Sequence, residues 1–374
     1  MVFRLNRGKV ALLVGILAAS PTAASPTPAS PTAASPTAAS PTAASPTAAA
    51  GAAGVRSAGA FCTNTAKQCL TAKARALGAG LYQYDFGSSM LSYRSPPAGF
   101  RPLHATPAQL ARYGLPQRPA SGMRAWRHDM ARLHMVGAPP SLSVVEAHAA
   151  SSVPDYSDHW AGYVAYGGRY IRTTSTWLEP AVRPSKCRSS SLTIWAGIGG
   201  YASPALAQDG TAVGTPGIGQ HQAWWEMTPA GMVPVPLYAT VGRRFTAEVH
   251  YLGGGRFSFF MENDFTGAAW SGVEKSTNGA TLATAEAIVE RPCLARCTSA
   301  DASYANLTNF GRLSFVSARA NGRPLQSYSN YAEAMSSSGV PYGRELAYPG
   351  PYGSGGSGGA GAPGGFSVTH NSCS

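Results

Sequence analysis

The run Ala285-Glu286-Ala287-Ile288-Val289-Glu290 reads as a short β-strand that carries two carboxylates. Strand alternation puts Glu286, Ile288 and Glu290 on one face and Ala285, Ala287 and Val289 on the other. The small apolar face suits a packed layer. Four residues separate the two carboxylates, about 13 Å along a strand, so only one of them can act on a given water molecule. A second strand, Gln220-His221-Gln222-Ala223-Trp224-Trp225-Glu226, sets an acid beside aromatic rings. Gln208 lies 82 positions before Glu290, in the turn-like stretch Ala205-Leu206-Ala207-Gln208-Asp209-Gly210. A carboxylate and an amide can hydrolyse a carbonyl compound without metal or covalent nucleophile. The acid takes a proton from water, and the amide orients that water and donates to the developing oxyanion. A carboxylate base works in mild acid, where histidine is protonated. Taken singly, each stretch has a plainer reading: solvated glutamates, cross-strand aromatic packing, and a loop glutamine.

Other residues show what must position them. From Ser157 onward, short alternating runs are separated by Gly, Pro, Asn or Asp. They are Trp160 to Tyr166, Thr173 to Leu178, Leu192 to Ile198, Gln222 to Met227, Arg244 to Leu252, Arg256 to Glu262, Ala283 to Glu290 and Arg312 to Ser317. This spacing predicts an all-β sandwich or barrel. With 43 Gly, 29 Pro and 12% charged residues, the composition agrees with a turn-rich β protein.

Ahead of this region lie three others. Residues 1–24 have a basic start (Arg4, Arg7, Lys9) and a ten-residue apolar stretch, which reads as an export signal and is too short to span a bilayer. Residues 25–54 repeat Ala-Ser-Pro-Thr and lack large apolar side chains, so a disordered spacer is expected. Residues 55–154 mix helix-like and loop-like stretches, with a capped helix start at Thr106-Pro107 and a basic amphipathic helix from Arg124 to Met135. The sandwich is expected over 155–347 and a Gly-rich flexible tail over 348–374.

The net charge of +12 is uneven: residues 1–155 carry 14 Lys and Arg against 4 acids, and residues 156–374 carry 15 against 13. A uniformly basic surface would point to nucleic acid. A basic front on a near-neutral body points instead to an arm that docks on an acidic cleft. Six cysteines in an exported chain favour disulfides over metal, since Cys293-x-x-x-Cys297 has no partner pair and the eight histidines lack ligand spacing.

The whole constellation resembles the glutamic peptidases (eqolisins), in the form of a secreted member of bacterial type. In order along the chain stand Trp160-Ala161-Gly162, Thr176-Trp177-Leu178-Glu179-Pro180, Trp195-Ala196-Gly197-Ile198-Gly199-Gly200 leading to Gln208, Trp224-Trp225-Glu226, Ala285 to Glu290, and Phe310-Gly311-Arg312-Leu313-Ser314-Phe315. The match covers about residues 157 to 320, and its strength lies in the order of six motifs. The resemblance implies a sandwich of two curved antiparallel sheets, similar to concanavalin-type lectins. It also implies an acid-active secreted endopeptidase in which Gln208 and Glu290 are the catalytic pair. Glu226 and Trp224 are expected to support the pair and line the cleft, with Trp160 and Trp195 as further lining residues. One departure is Gln208-Asp209-Gly210-Thr211-Ala212: the family's supporting Asp falls on Ala212, unless Asp209 replaces it.

Residues 55–154 then read as a propeptide and inhibitor that covers the cleft at neutral pH. Polypeptides are the expected substrates, and the protein is expected to be a monomer with no cofactor, metal, nucleic acid or membrane partner. No Gly-x-Ser-x-Gly, His-Glu-x-x-His, Asp-Thr-Gly or Asp-Ser-Gly motif offers another protease chemistry. The rival reading is a secreted, non-catalytic sandwich that takes polysaccharide or peptide on a Trp-rich face.

Overall fold

The computed structural model describes residues 70–374, apart from 86–89, 121, 139–140, 145–155, 184–189, 202–204, 216, 229, 277–280, 296–302, 340–342 and 356–362. The expected signal and spacer lie outside the described residues. The chain divides into two units, 1–55 and 56–374, and every described residue belongs to the second. Among the described residues no helix is long and apolar enough to cross a membrane.

One sheet concerns the site. Its strands, in chain order, are β1 (Trp160–Tyr166), β2 (Ser190–Gly199), β3 (Leu206–Val213), β4 (Gln222–Met227), β5 (Val233–Tyr238), β6 (Ala285–Glu290) and β7 (Ser329–Ser336). Across the sheet they run β5-β4-β3-β2-β6-β1-β7, all antiparallel. The second sheet is also antiparallel. Its order is Ala268–Lys275, Arg256–Asn263, Arg244–Gly253, Arg172–Leu178, Arg312–Ala320, Phe366–His370, Glu345–Pro349. The last of these strands also pairs with β7, so hydrogen bonds join the two sheets along one side.

The core between the sheets is asymmetric in size. The site sheet contributes many small side chains, among them Ala161, Ala165, Ala196, Ala207, Ala223, Ala285 and Ala287. The second sheet contributes Trp177, Phe245, Phe257, Phe259, Phe315 and Phe366. Small residues on one wall leave room for rings on the other, which is how dense packing is reached without strain. Arg172–Leu178 shows the alternation plainly: Thr173, Ser175 and Trp177 are buried, while Thr174 and Thr176 face out to meet Glu248 and Thr246.

The basic front segment is folded. Leu70–Gly78, Leu81–Asp85, Met90–Arg94 and Ser141–Val144 form a four-stranded sheet. Two helices intervene: α1 (Pro107–Arg112), capped by a reciprocal Thr106–Gln109 box, and α2 (Met123–Arg132), which buries Trp126 and Met130. This segment packs on the second sheet. Leu110, Tyr113, Leu115, Trp126 and Met130 cluster with Phe260 and Ala269, and the Tyr93 ring stacks on Trp270 at 5.2 Å.

Two expectations need correction. Gln208 is not in a turn: it lies inside β3, a strand buried along its whole length. Asp209-Gly210 reads as a turn signal by composition, but hydrogen bonding to strands on both sides overrides that preference. The C-terminal tail also contains a sheet strand, Phe366–His370, whose Phe366 and Val368 are fully buried. Its glycine-rich stretch at 356–362 lies outside the described residues.

The buried acids make stability depend on pH. Burial pushes Glu262 up to about 8, with Asp264 and Asp129 adding to the rise, and it holds Asp209 well above the ordinary carboxylate range. A folded-state pKa above the unfolded value means that the folded protein binds more protons. The stabilisation is therefore present in acid and is lost as pH rises from about 4 through about 8. Calorimetric melting of the full chain is expected to give a Tm several degrees higher at pH 5 than at pH 9. Glu262→Gln is expected to flatten part of that fall, and a Tm that rises toward pH 9 would contradict the assignment.

Candidate active site

The ladders of the site sheet bring distant residues onto one face. Glu226 stands opposite Gln208, Gln208 opposite Gly197, and Gly197 opposite Glu286. The neighbouring row contains Trp224, Gly210, Trp195, Ile288 and Gly162. In the next, Glu290 stands between Thr193 and Trp160. Trp160, Trp195, Trp224 and Ile288 form an apolar cluster separate from the sandwich core. All six sequence-predicted site residues are on this face and are fully buried.

Glycine admits the neighbouring strand's backbone at one position and a ring at another. Gly210 lies between Trp224 and Trp195, and a Cβ added there would come within 1.9 Å of the Ile194 carbonyl oxygen. A Cβ at Gly197 would meet Cζ3 of Trp195 at 2.7 Å, so the six-membered ring of that indole overhangs the residue facing Gln208. At the other end of the same indole, Nε1 donates to Oε2 of Glu290 at 2.7 Å. Trp160 meets Trp195 edge to face at 5.1 Å between ring centroids. The Trp195 indole therefore reaches from Glu290 to the residue beside Gln208.

Gln208 is held from the other side, where its Nε2 donates to Oε2 of Glu226 at 3.1 Å. That contact fixes which end of the amide is which and occupies one of its two N–H groups. The backbone registers of Gln208 and Glu290 differ by four residues along β2, about 13 Å of strand. The structure thus groups Gln208 with Glu226 and Glu290 with Trp195, and it sets the two groups at opposite ends of one indole.

Asp209 does not support this face. Alternation turns it to the other side of β3, in register with Ala196 and Trp225 of the sandwich core. It is fully buried, and the backbone amides of Phe260 and Glu248 offset only part of the rise in pKa that burial causes. Ala212, at the position of the family's supporting Asp, belongs to the apolar cluster instead. Sequence reasoning put Glu286 on this face without giving it a role, and it passed over Glu333. Glu286 is in register with Gln208, and Glu333 on β7 stands opposite Gly162. Glu333 could have been found from the alternation of Tyr331-Ala332-Glu333-Ala334-Met335.

Among the described residues no group of three His, Cys, Asp or Glu could hold a metal ion. A face of carboxylates and an amide, floored by tryptophans and built on an antiparallel sandwich, is a site for acid–base chemistry on a polar substrate. Residues 158–335 match the Peptidase A4 family. The matched span lies in the sandwich and marks the chain as similar to the glutamic peptidases, and the protein is a glutamic-type peptidase, a hydrolase of peptide bonds. No curated protein matches the chain.

Among solved structures, scytalido-glutamic peptidase bound to a transition-state analogue inhibitor is 17% identical, covering 57% of this chain and 98% of that one, with a TM-score of 0.46. SCP-B of the eqolisin family, in complex with the tripeptide Ala-Ile-His, is 16% identical over 57% and 98%, with a TM-score of 0.42. Aspergilloglutamic peptidase from Aspergillus niger is 21% identical over 49% and 99%, with a TM-score of 0.36.

The indole of Trp195 supplies both packing and a donor. Trp195→Phe keeps the ring on the floor and removes the N–H to Glu290. A hydrogen bond to a charged group contributes about 1.5–3 kcal/mol, so peptidase kcat is expected to fall about tenfold or more while the far-ultraviolet spectrum is unchanged. An unaltered kcat would show that the contact is incidental.

Proposed function

We propose that the protein is a secreted, acid-active endopeptidase in which Glu290 activates water and Gln208 stabilises the oxyanion. The observation that carries this reading is the placement of both side chains, each held by its own partner, on one buried face of the same sheet. For both to serve one carbonyl group, the Gln208 and Glu290 side chains lean toward each other over the Trp195 indole, the acid reaching the carbon through its water and the amide reaching the oxygen.

Each partner then has a role. Glu226 holds the Gln208 amide in place, and in the reaction an amide N–H of Gln208 donates to the substrate carbonyl oxygen as negative charge develops there. The Trp195 N–H orients Glu290. Glu290 takes the proton from water as the oxygen attacks the carbonyl carbon. The tetrahedral intermediate collapses with cleavage of the C–N bond, and Glu290 returns the proton to the leaving amine. Glu226 and Trp195 act as positioning residues, while Trp160 and Trp224 complete the floor.

The burial of all three tryptophans weighs against the rival reading, which needs exposed rings for sugar stacking. Purified protein is expected to clear casein at pH 3 to 5 in the presence of pepstatin. Gln208→Ala should lower the rate a hundredfold or more, and Glu290→Gln should abolish clearing, with folding unchanged. Full activity in either variant would remove the pair from the mechanism.

Residues 55–154 fit a propeptide that folds against its own enzyme. The described part covers Phe260, Ala269 and Trp270 of the second sheet, which supports a role in folding as much as one in inhibition. Export accords with the disulfide reading, and neither described cysteine, Cys293 nor Cys373, is a free thiol. Residues 55–154 added in trans to processed enzyme are expected to inhibit it more at pH 7 than at pH 4. Equal inhibition at both values would remove electrostatic docking as the cause, and no inhibition at either would remove the inhibitor role.

A further inference from the structure

Glu286 has no part in the pair just described, yet it is the carboxyl in register with Gln208. Glu286, Gly197 and Gln208 form one row across three adjacent strands, so two strand spacings, about 10 Å, separate the outer two backbones. The residue between them presents no side chain. The place directly above Gly197 is filled by the six-membered ring of Trp195 and by Leu206, whose Cδ1 would lie 3.0 Å from a Cβ placed there, so a peptide between Glu286 and Gln208 would lie over that ring.

The Glu286 side chain is fully buried, and neither oxygen has a donor in hydrogen-bonding geometry. The ionisable side chains that share its face are acids: Glu290 on the same strand, Tyr331 and Glu333 on β7, and Glu226 on β4. Val164 on β1, Gly197 on β2 and Gln208 on β3 carry no charge. Tyr170, which follows β1, is coupled to Glu286 electrostatically. Burial holds the Glu286 pKa well above the ordinary carboxylate range, and the Thr284 hydroxyl offsets only part of that rise. At this place the carboxyl keeps its proton where an exposed glutamate would lose it. A protonated carboxyl is a hydrogen-bond donor, whereas a carboxylate only accepts.

We propose that Glu286 is a substrate-binding residue that works in its protonated form, donating its O–H to a carbonyl oxygen of the peptide held between it and Gln208, and that loss of this proton sets the upper pH limit of turnover. The inference rests on the Gln208–Glu290 reading of the site. An ionised Glu286 would have no donor to offer and would place a negative charge beside the carbonyl oxygen that it otherwise binds.

The test is kcat/KM on a short fluorogenic peptide from pH 3 to 8, using the purified full chain, with circular dichroism confining the range to folded protein. Glu286→Gln keeps an N–H donor and cannot ionise. It is expected to lower kcat/KM in acid by no more than about tenfold and to move the upper limb up by at least one pH unit. Glu286→Asp, which still ionises, should retain an upper limb. Glu286→Ala should raise KM about tenfold or more across the range and flatten that limb.

Three results would overturn the proposal: an unmoved upper limb in Glu286→Gln, a wild-type upper limb that coincides with unfolding, or a Glu286→Gln variant as inactive as Glu290→Gln. Failure of the underlying reading looks different. There Gln208→Ala or Glu290→Gln keeps its activity in acid, whatever Glu286→Gln does.

Discussion

The structure depends on the hydrogen-bonded register of one central strand. β2 pairs with β3 along one edge and with β6 along the other, over eight and six residues respectively. A slip of one residue in either ladder would turn Gln208 or Glu290 into the sandwich core and bring Asp209 or Val289 onto the site face. The register is therefore what sets an amide and an acid, 82 residues apart in sequence, on one side of one sheet. Packing on both faces enforces it. The small side chains of the site sheet fit the aromatic wall opposite, and on the other side Trp160, Trp195 and Trp224 cluster, with the Trp195 ring over Gly197.

Keeping acids dry has a cost that follows from the same architecture. Glu226, Glu286 and Glu290 are withdrawn from water on the site face, and Asp209 is withdrawn inside the core. Each needs either a donor or a proton. Glu290 takes the Trp195 N–H and Glu226 takes the Gln208 amide, so those two serve at once as functional groups and as satisfied polar groups. For Asp209 the backbone amides of Phe260 and Glu248 offset only part of the cost of burial, and protonation helps to hold it in the core. The buried acids whose pKa is raised favour the folded state more in acid than in alkali, independently of what the site does.

Much of this was legible along the chain. Alternation located the Ala285–Glu290 and Gln222–Met227 strands and the faces of their glutamates, and the Thr106-Pro107 cap located α1. Other elements were hidden because their local signal opposed their final state. β3 contains Asp-Gly, β5 contains two prolines, and Phe366–His370 follows a glycine run. Local propensity reads such stretches as turns or tails, and only neighbouring strands can reverse that reading. Asp209 was open to misplacement for the same reason, since a residue in a turn has no assigned face.

The sequence by itself determined the face on which each residue of a recognised strand lies, because side-chain direction alternates with fixed period along any extended backbone. It also determined the order of the motifs that mark the family. Tertiary structure alone decided which residues of different strands stand level with one another. It put Glu286 rather than Glu290 opposite Gln208 across Gly197, placed the Trp195 indole between the amide and the acid, and set the basic front segment against the second sheet. Alternation is a property of one chain, whereas register is a property of two chain segments, fixed only when both are packed against the same core.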